Sequence, residues 1–97
     1  MQLETKIASG ATALILSAQN GHESCIRALL EKGAAVDAVK NDGFTALMMS
    51  ASNGHDLCTR ALLEAGARKE IKNSSGSTAL SIAKSKGHTA ICKLLEL

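Results

Sequence analysis

The residue types in this chain best equipped for chemistry are its histidines and cysteines. His22 stands three residues before Cys25, His55 three before Cys58, and His88 four before Cys92. Imidazole and thiolate are zinc ligands, but a zinc site needs its donors within about 2.0–2.3 Å of one metal. The three pairs recur at an interval of 33 residues, His22 to His55 to His88. Helices pack with axes roughly 8–10 Å apart, so equivalent donors on successive layers do not converge. No metal and no cofactor are expected. The three cysteines form an odd, widely spaced set, which argues against a disulfide framework. Each falls on the apolar side of a predicted helix and reads as a reduced core residue.

Other chemistry finds little support. Asn73-Ser74-Ser75 has the form of a glycosylation acceptor, yet the opening MQLETKIASG lacks the apolar stretch of a secretory leader. The run SSGST at Ser74–Thr78 is not a phosphate loop of Walker type. No serine or cysteine stands with a histidine and an acid outside the periodic pattern, so no catalytic residue is expected. No run approaches the roughly 18 apolar residues of a membrane span. The net charge is +2. Up to Gly66 seven acids outnumber five bases, whereas from Ala67 onward Arg68, Lys69, Lys72, Lys84, Lys86 and Lys93 face only Glu70 and Glu96. That polarity can orient a partner, but no aromatics interleave to stack bases. Nucleic acid is not expected as a partner.

The elements that carry these residues repeat. Gly10, Gly43 and Gly76 are separated by 33 residues, as are Thr12, Thr45 and Thr78, and Gly21, Gly54 and Gly87. Such a period is the mark of a stacked repeat array. Each threonine precedes an apolar-periodic segment and suits a helix N-cap. Each glycine of the last set supplies the left-handed backbone that ends a helix. A second helix follows, as in Cys25, Ile26, Leu29 and Leu30 of the first copy. Small residues dominate the first helices (Ala13, Ser17, Ala18, Ala46, Ser50, Ala51, Ala79, Ala83), which lets neighbours approach closely. Phe44 is the only aromatic, so aliphatic side chains must fill the interior.

The strings TALILSAQNGH, TALMMSASNGH and TALSIAKSKGH, with RALLEKGAAVD and RALLEAGARKE after the first two, resemble the ankyrin repeat and its T-P-L-H-x-A signature. Ala13, Ala46 and Ala79 stand where the family has Pro, and Ile15, Met48 and Ser81 where it has His. The resemblance implies an all-α fold, an ankyrin-repeat solenoid of stacked helix-turn-helix pairs with short hairpin loops. It assigns the Gly-His histidines to the turns. The expected organisation is one domain over 1–97: the end of a preceding loop at 1–9, repeats at 10–42 and 43–75, and a capping repeat at 76–97. Lys84, at the register of Ala18 and Ala51, gives the last copy the polar outer face a cap requires.

The resemblance also implies a non-enzymatic protein-binding module, in which hairpin tips and the exposed side of the first helices meet another protein. The matching positions here are Lys40, Asn41, Asp42 and Phe44 on the central tip, with Met48 and Ser52 on its helix. In the first copy they are Ala8, Ser9, Ala11, Ile15 and Gln19, and in the third Ser74, Ser75, Ser77, Ser81 and Ser85. Phe44 and Met48 lie four apart and share a helical edge, with Ile15 one period before Met48. This apolar strip is the expected hot spot. The alternative is self-association through the uncapped N-terminal side, near Leu14, Ile26 and Leu30. An intracellular setting, cytoplasmic or nuclear, is expected.

Overall fold

A computed structural model describes residues 12–97; the expected loop segment 1–9, Gly10 and the candidate residues Ala8, Ser9 and Ala11 lie outside the described residues. Six helices form among them: α1 (Ala13–Asn20), α2 (Glu23–Glu31), α3 (Ala46–Asn53), α4 (Asp56–Glu64), α5 (Ala79–Lys86) and α6 (Thr89–Leu95).

The odd-numbered helices start and stop where side-chain chemistry dictates. Thr12, Thr45 and Thr78 each accept a hydrogen bond from the backbone N–H three residues on, at 3.3, 3.2 and 3.2 Å. This satisfies a donor the helix cannot serve itself. At Thr78 the cap is reciprocal, because Ser81 Oγ accepts from the Thr78 N–H at 2.9 Å. Gly21, Gly54 and Gly87 close these helices in the left-handed region. The even-numbered helices have no side-chain cap at their start. Glu23 and Asp56 instead place negative charge in the first turns of α2 and α4, which complements the helix dipole.

The three pairs stack in two layers, α1–α3–α5 and α2–α4–α6, with the first more closely apposed. Ala46, Ser50, Ala51, Ala79 and Ala83, none more than 2 % exposed, permit that closeness. Larger residues fill the space between the layers: Leu14, Ile26, Leu47, Leu62 and Ile91 are all buried. Each such side chain contributes about 1.5–3 kcal/mol by its burial. No helix among the described residues is long and apolar enough to cross a membrane.

Two sequence expectations fail here, for one geometric reason. Ile15 and Met48 do not form an exposed strip; they are buried, at 0 % and 1 % exposure. Their register turns toward the following pair, so α3 covers Ile15 and α5 covers Met48. At the same register in α5, with no described helix beyond it, stands Ser81, which is exposed. Ala18 and Ala51 are likewise buried where Lys84 is exposed. The second failure concerns the cysteines. Cys58 is buried and Cys92 half-buried, but Cys25 is exposed. The side of α4 that carries Cys58, Ala61 and Leu62 packs toward α2 and is buried. On α2 the same side carries Cys25, Ala28 and Leu29, and no described helix covers it. Cys25 and Ala28 are therefore exposed and Leu29 half-buried.

Candidate partner-binding face

The loops between pairs return through tight turns 33 residues apart. In the first, the Lys40 N–H donates to the Phe44 carbonyl at 3.1 Å and the Gly43 N–H to the Lys40 carbonyl at 2.8 Å. In the second, Asn73 N–H donates to Ser77 at 3.0 Å and Gly76 N–H to Asn73 at 2.9 Å. The turns touch: the Ser74 N–H donates to the Asp42 carbonyl at 3.0 Å. Gly43 makes that contact feasible. Its φ is +84°, and a Cβ there would sit 3.0 Å from backbone atoms of Asn73 and Ser74.

Asp42 organises the first tip. Its Oδ1 accepts from the Phe44 N–H at 3.1 Å and its Oδ2 from Lys40 Nζ at 3.0 Å. Slight desolvation pushes its pKa up, but the hydrogen bonds from Lys40 and Phe44, with the Lys40 charge, hold it below the ordinary value. The Lys40 ammonium also lies 5.6 Å from the centroid of the Phe44 ring, within cation–π range. Phe44 is half-buried, so its ring is neither lost in the core nor left bare.

Between these tips and helices α3 and α5 runs a groove of about 370 Å³. Phe44 and Ile82 form its apolar part. The polar part comes from Ser52, Ser75, Ser77, Ser81 and Ser85, joined by Asn73 and Lys86. Of these hydroxyls, that of Ser81 is engaged in the α5 cap. Asn73 Oδ1 accepts from the Ser75 and Ser77 N–H groups at 2.9 and 3.0 Å, which leaves its Nδ2 donors out of the turn.

The structure thus brings Phe44 and Ser52 together and gathers four of the third-copy serines beside them. Lys40 and Asp42 stand behind Phe44 as its support, and Asn41 is exposed at the tip outside the groove. Gln19 belongs to a different contact. Its carbonyl oxygen lies 3.1 Å from His55 Nε2 and 3.2 Å from Asn53 Nδ2. Ile15 and Met48 lie in the core beneath. Sequence reasoning missed Asn73, Ile82 and Lys86. Asn73 occupies the register of Lys40 one period on, and carrying that position forward finds it.

The histidines link layers. His55 Nε2 reaches back to the Gln19 carbonyl, and His88 Nε2 reaches back to that of Ser52 at 3.2 Å. Because a carbonyl only accepts, Nε2 carries the hydrogen in both. Among the described residues no three of His, Cys, Asp and Glu gather so as to hold a metal ion.

A family model described as ankyrin repeats (3 copies) matches residues 1–73 of the chain. The match stops short of α5, the helix in which Ser81 and Lys84 replace apolar residues. Among curated proteins, none matches the chain.

Proposed function

The chain belongs to the ankyrin-repeat family, whose members generally mediate protein–protein interactions; from that premise we propose that it binds another protein along the groove between its hairpin tips and helices α3 and α5, and catalyses no reaction. The observation that carries this reading is the placement of Phe44. The only Phe, Tyr or Trp of the chain lines the groove while packing partly against the core, with Asp42 on its backbone N–H and Lys40 over its ring, and aromatic side chains are favoured interface anchors. Lys40, Asp42 and Ser52, expected as partner contacts, remain proposed contacts beside that anchor, with Lys40 and Asp42 also supporting the ring's tip. The working division is a single domain with repeats at 10–42 and 43–75 and a cap at 76–97. The three unbridged cysteines suit a reducing, intracellular compartment, cytoplasmic or nuclear.

The test is paired capture from a source extract on immobilised wild-type and Phe44→Ala protein, each checked by circular dichroism melting. Proteins retained by the first and lost by the second, at matched stability, support the reading. An identical retained set from both sinks it.

One observation favours a second reading, self-association through the N-terminal side. Cys25 and Ala28 are exposed where Cys58 and Ala61 are buried. Leu14 and Ile26 do not take part in it, since both are core residues at 2 % and 0 % exposure. Sedimentation over a concentration range tests this directly. Self-association that is abolished by Ala28→Glu supports it, and a monomer at every concentration rules it out.

A further inference from the structure

We propose that the groove between the second and third hairpins takes an extended acidic peptide segment, one in which a carboxylate side chain neighbours an aliphatic one. This rests on the protein-binding reading above and names the chemistry of the partner.

The argument is a donor census. No Asp or Glu lines the groove, and Lys86 is its one charged residue. Lys86 makes no ion pair with any described residue; the nearby Lys84 is drawn to Glu96 instead, at 3.9 Å. The hydroxyls of Ser52, Ser75, Ser77 and Ser85 make no hydrogen bond with any described residue. Asn73 commits its oxygen to the turn and keeps only donors for a ligand. An ammonium, an amide NH₂ and several hydroxyls with no anion in the lining, the nearby Asp42 being paired with Lys40, are complementary to a carboxylate. A basic segment would meet Lys86 with no acid to offset it. A phosphate is less well matched, because no arginine lines the groove to grip it bidentately. Phe44 and Ile82, side by side with these donors, offer an aliphatic neighbour its contact. The surrounding charge agrees, since from Ala67 onward six bases face two acids, which favours approach of an acidic chain.

Fluorescence anisotropy on the full chain tests this with four labelled octapeptides of alternating residues: Leu with Glu, with Gln, with Lys, and with phosphoserine. The Glu peptide is expected to bind about tenfold tighter than the Gln peptide, the difference between a charge-assisted and a neutral hydrogen bond. Its affinity should fall as salt rises, and Lys86→Ala should bring Glu and Gln binding to within about twofold. Equal binding of the two by the wild type overturns the proposal, as does a Lys86→Ala variant that keeps the preference. Tighter binding of the Lys peptide gives the groove to a basic segment, and tighter binding of the phosphoserine peptide gives it to a phosphate; either overturns it. Failure of all four peptides to bind overturns it too, and Phe44-dependent capture from extract then decides separately whether the protein-binding reading survives.

Discussion

His88 Nε2 lies 3.2 Å from the carbonyl oxygen of Ser52, 36 positions earlier in the chain, and His55 repeats this contact with Gln19 at 3.1 Å. Each ring also rests on the glycine turn of the preceding pair. A Cβ on Gly54 would stand 3.0 Å from the His88 ring, and one on Gly21 would stand 2.8 Å from that of His55. Every histidine of this kind is a backward latch, binding the end of the earlier inner helix to the turn of its own pair.

Removing a latch costs one hydrogen bond, about 0.5–1.5 kcal/mol. His88→Ala should lower the melting temperature without changing helical content. Gly54→Ala should cost more, because φ is +75° there and a left-handed conformation penalises alanine by about 1–2 kcal/mol. The double variant should be more stable than the sum of the two losses implies, since the ring that obstructs the new methyl is gone. Strict additivity in chemical denaturation would refute the latch.

A second prediction concerns the buried hydroxyl pair of the central unit. Ser50 Oγ lies 2.8 Å from Thr59 Oγ1, and the two also contact the carbonyls of Leu47 and His55 at 3.0 and 3.1 Å. Two hydroxyl protons serve three contacts. Thr59→Val alone strands a buried partner and should cost about 1–3 kcal/mol, whereas replacing both polar groups can be nearly neutral. The check is a double-mutant cycle of Ser50→Ala with Thr59→Val. A double loss equal to or greater than the sum of the single losses would count against coupling.

Thiol reactivity should follow cover. Cys25 is exposed, Cys92 half-buried and Cys58 buried. Burial raises the Cys58 pKa, helped by the negative charges of Glu23 and Asp56, so its thiolate is scarce. Maleimide labelling of the native protein at neutral pH should modify Cys25 first and leave Cys58 for the denatured chain. Early labelling of Cys58, located by peptide mapping, would contradict this packing.

The first tip should loosen in acid. Asp42 has a depressed pKa in the folded state, so its contribution is complete above the unfolded carboxylate value of about 3.9. It is lost as pH falls through the lower folded value. The Phe44 amide resonance should titrate with a midpoint below that of an unperturbed aspartate. A midpoint at or above it would remove Asp42 from the role of tip organiser.

Phe44 and Met48, once paired as an exposed strip, should now behave oppositely. Met48→Ala empties a buried site and should cost about 2–5 kcal/mol. Phe44→Ala should cost less stability and more partner capture. Comparable melting temperatures for the two variants would contradict their different burial.

Much of the fold is legible in the residues themselves. The threonine caps, the glycine stops and the 33-residue interval are local or periodic signals, and each corresponds to a backbone need met within a few residues. Which side of an inner helix faces a neighbour is not local. Ile15 and Met48 share an edge with the tip register, yet their burial depends on the pair that follows. The telling residue is Ser81, whose polarity at that register in the last copy marks a side that its predecessors cover. Cys25 poses the same difficulty from the other end, because its helix matches α4 in sequence but not in what lies against it. The groove was half visible: Phe44 and the serines are surface positions of the repeat, while Asn73, Ile82 and Lys86 join it only when two successive tips and helices are brought side by side.

Phe44 has one more consequence, a magnetic one. The protein contains no tryptophan or tyrosine and a single phenylalanine, so the one benzene ring current in its NMR spectrum arises at the groove, beside the weaker ones of three histidine imidazoles. A methyl group of the free protein whose anomalous shift is lost in Phe44→Leu is marked as a neighbour of that ring. A ligand methyl that moves upfield on binding to the wild type but not to Phe44→Leu reports its own arrival beside Phe44.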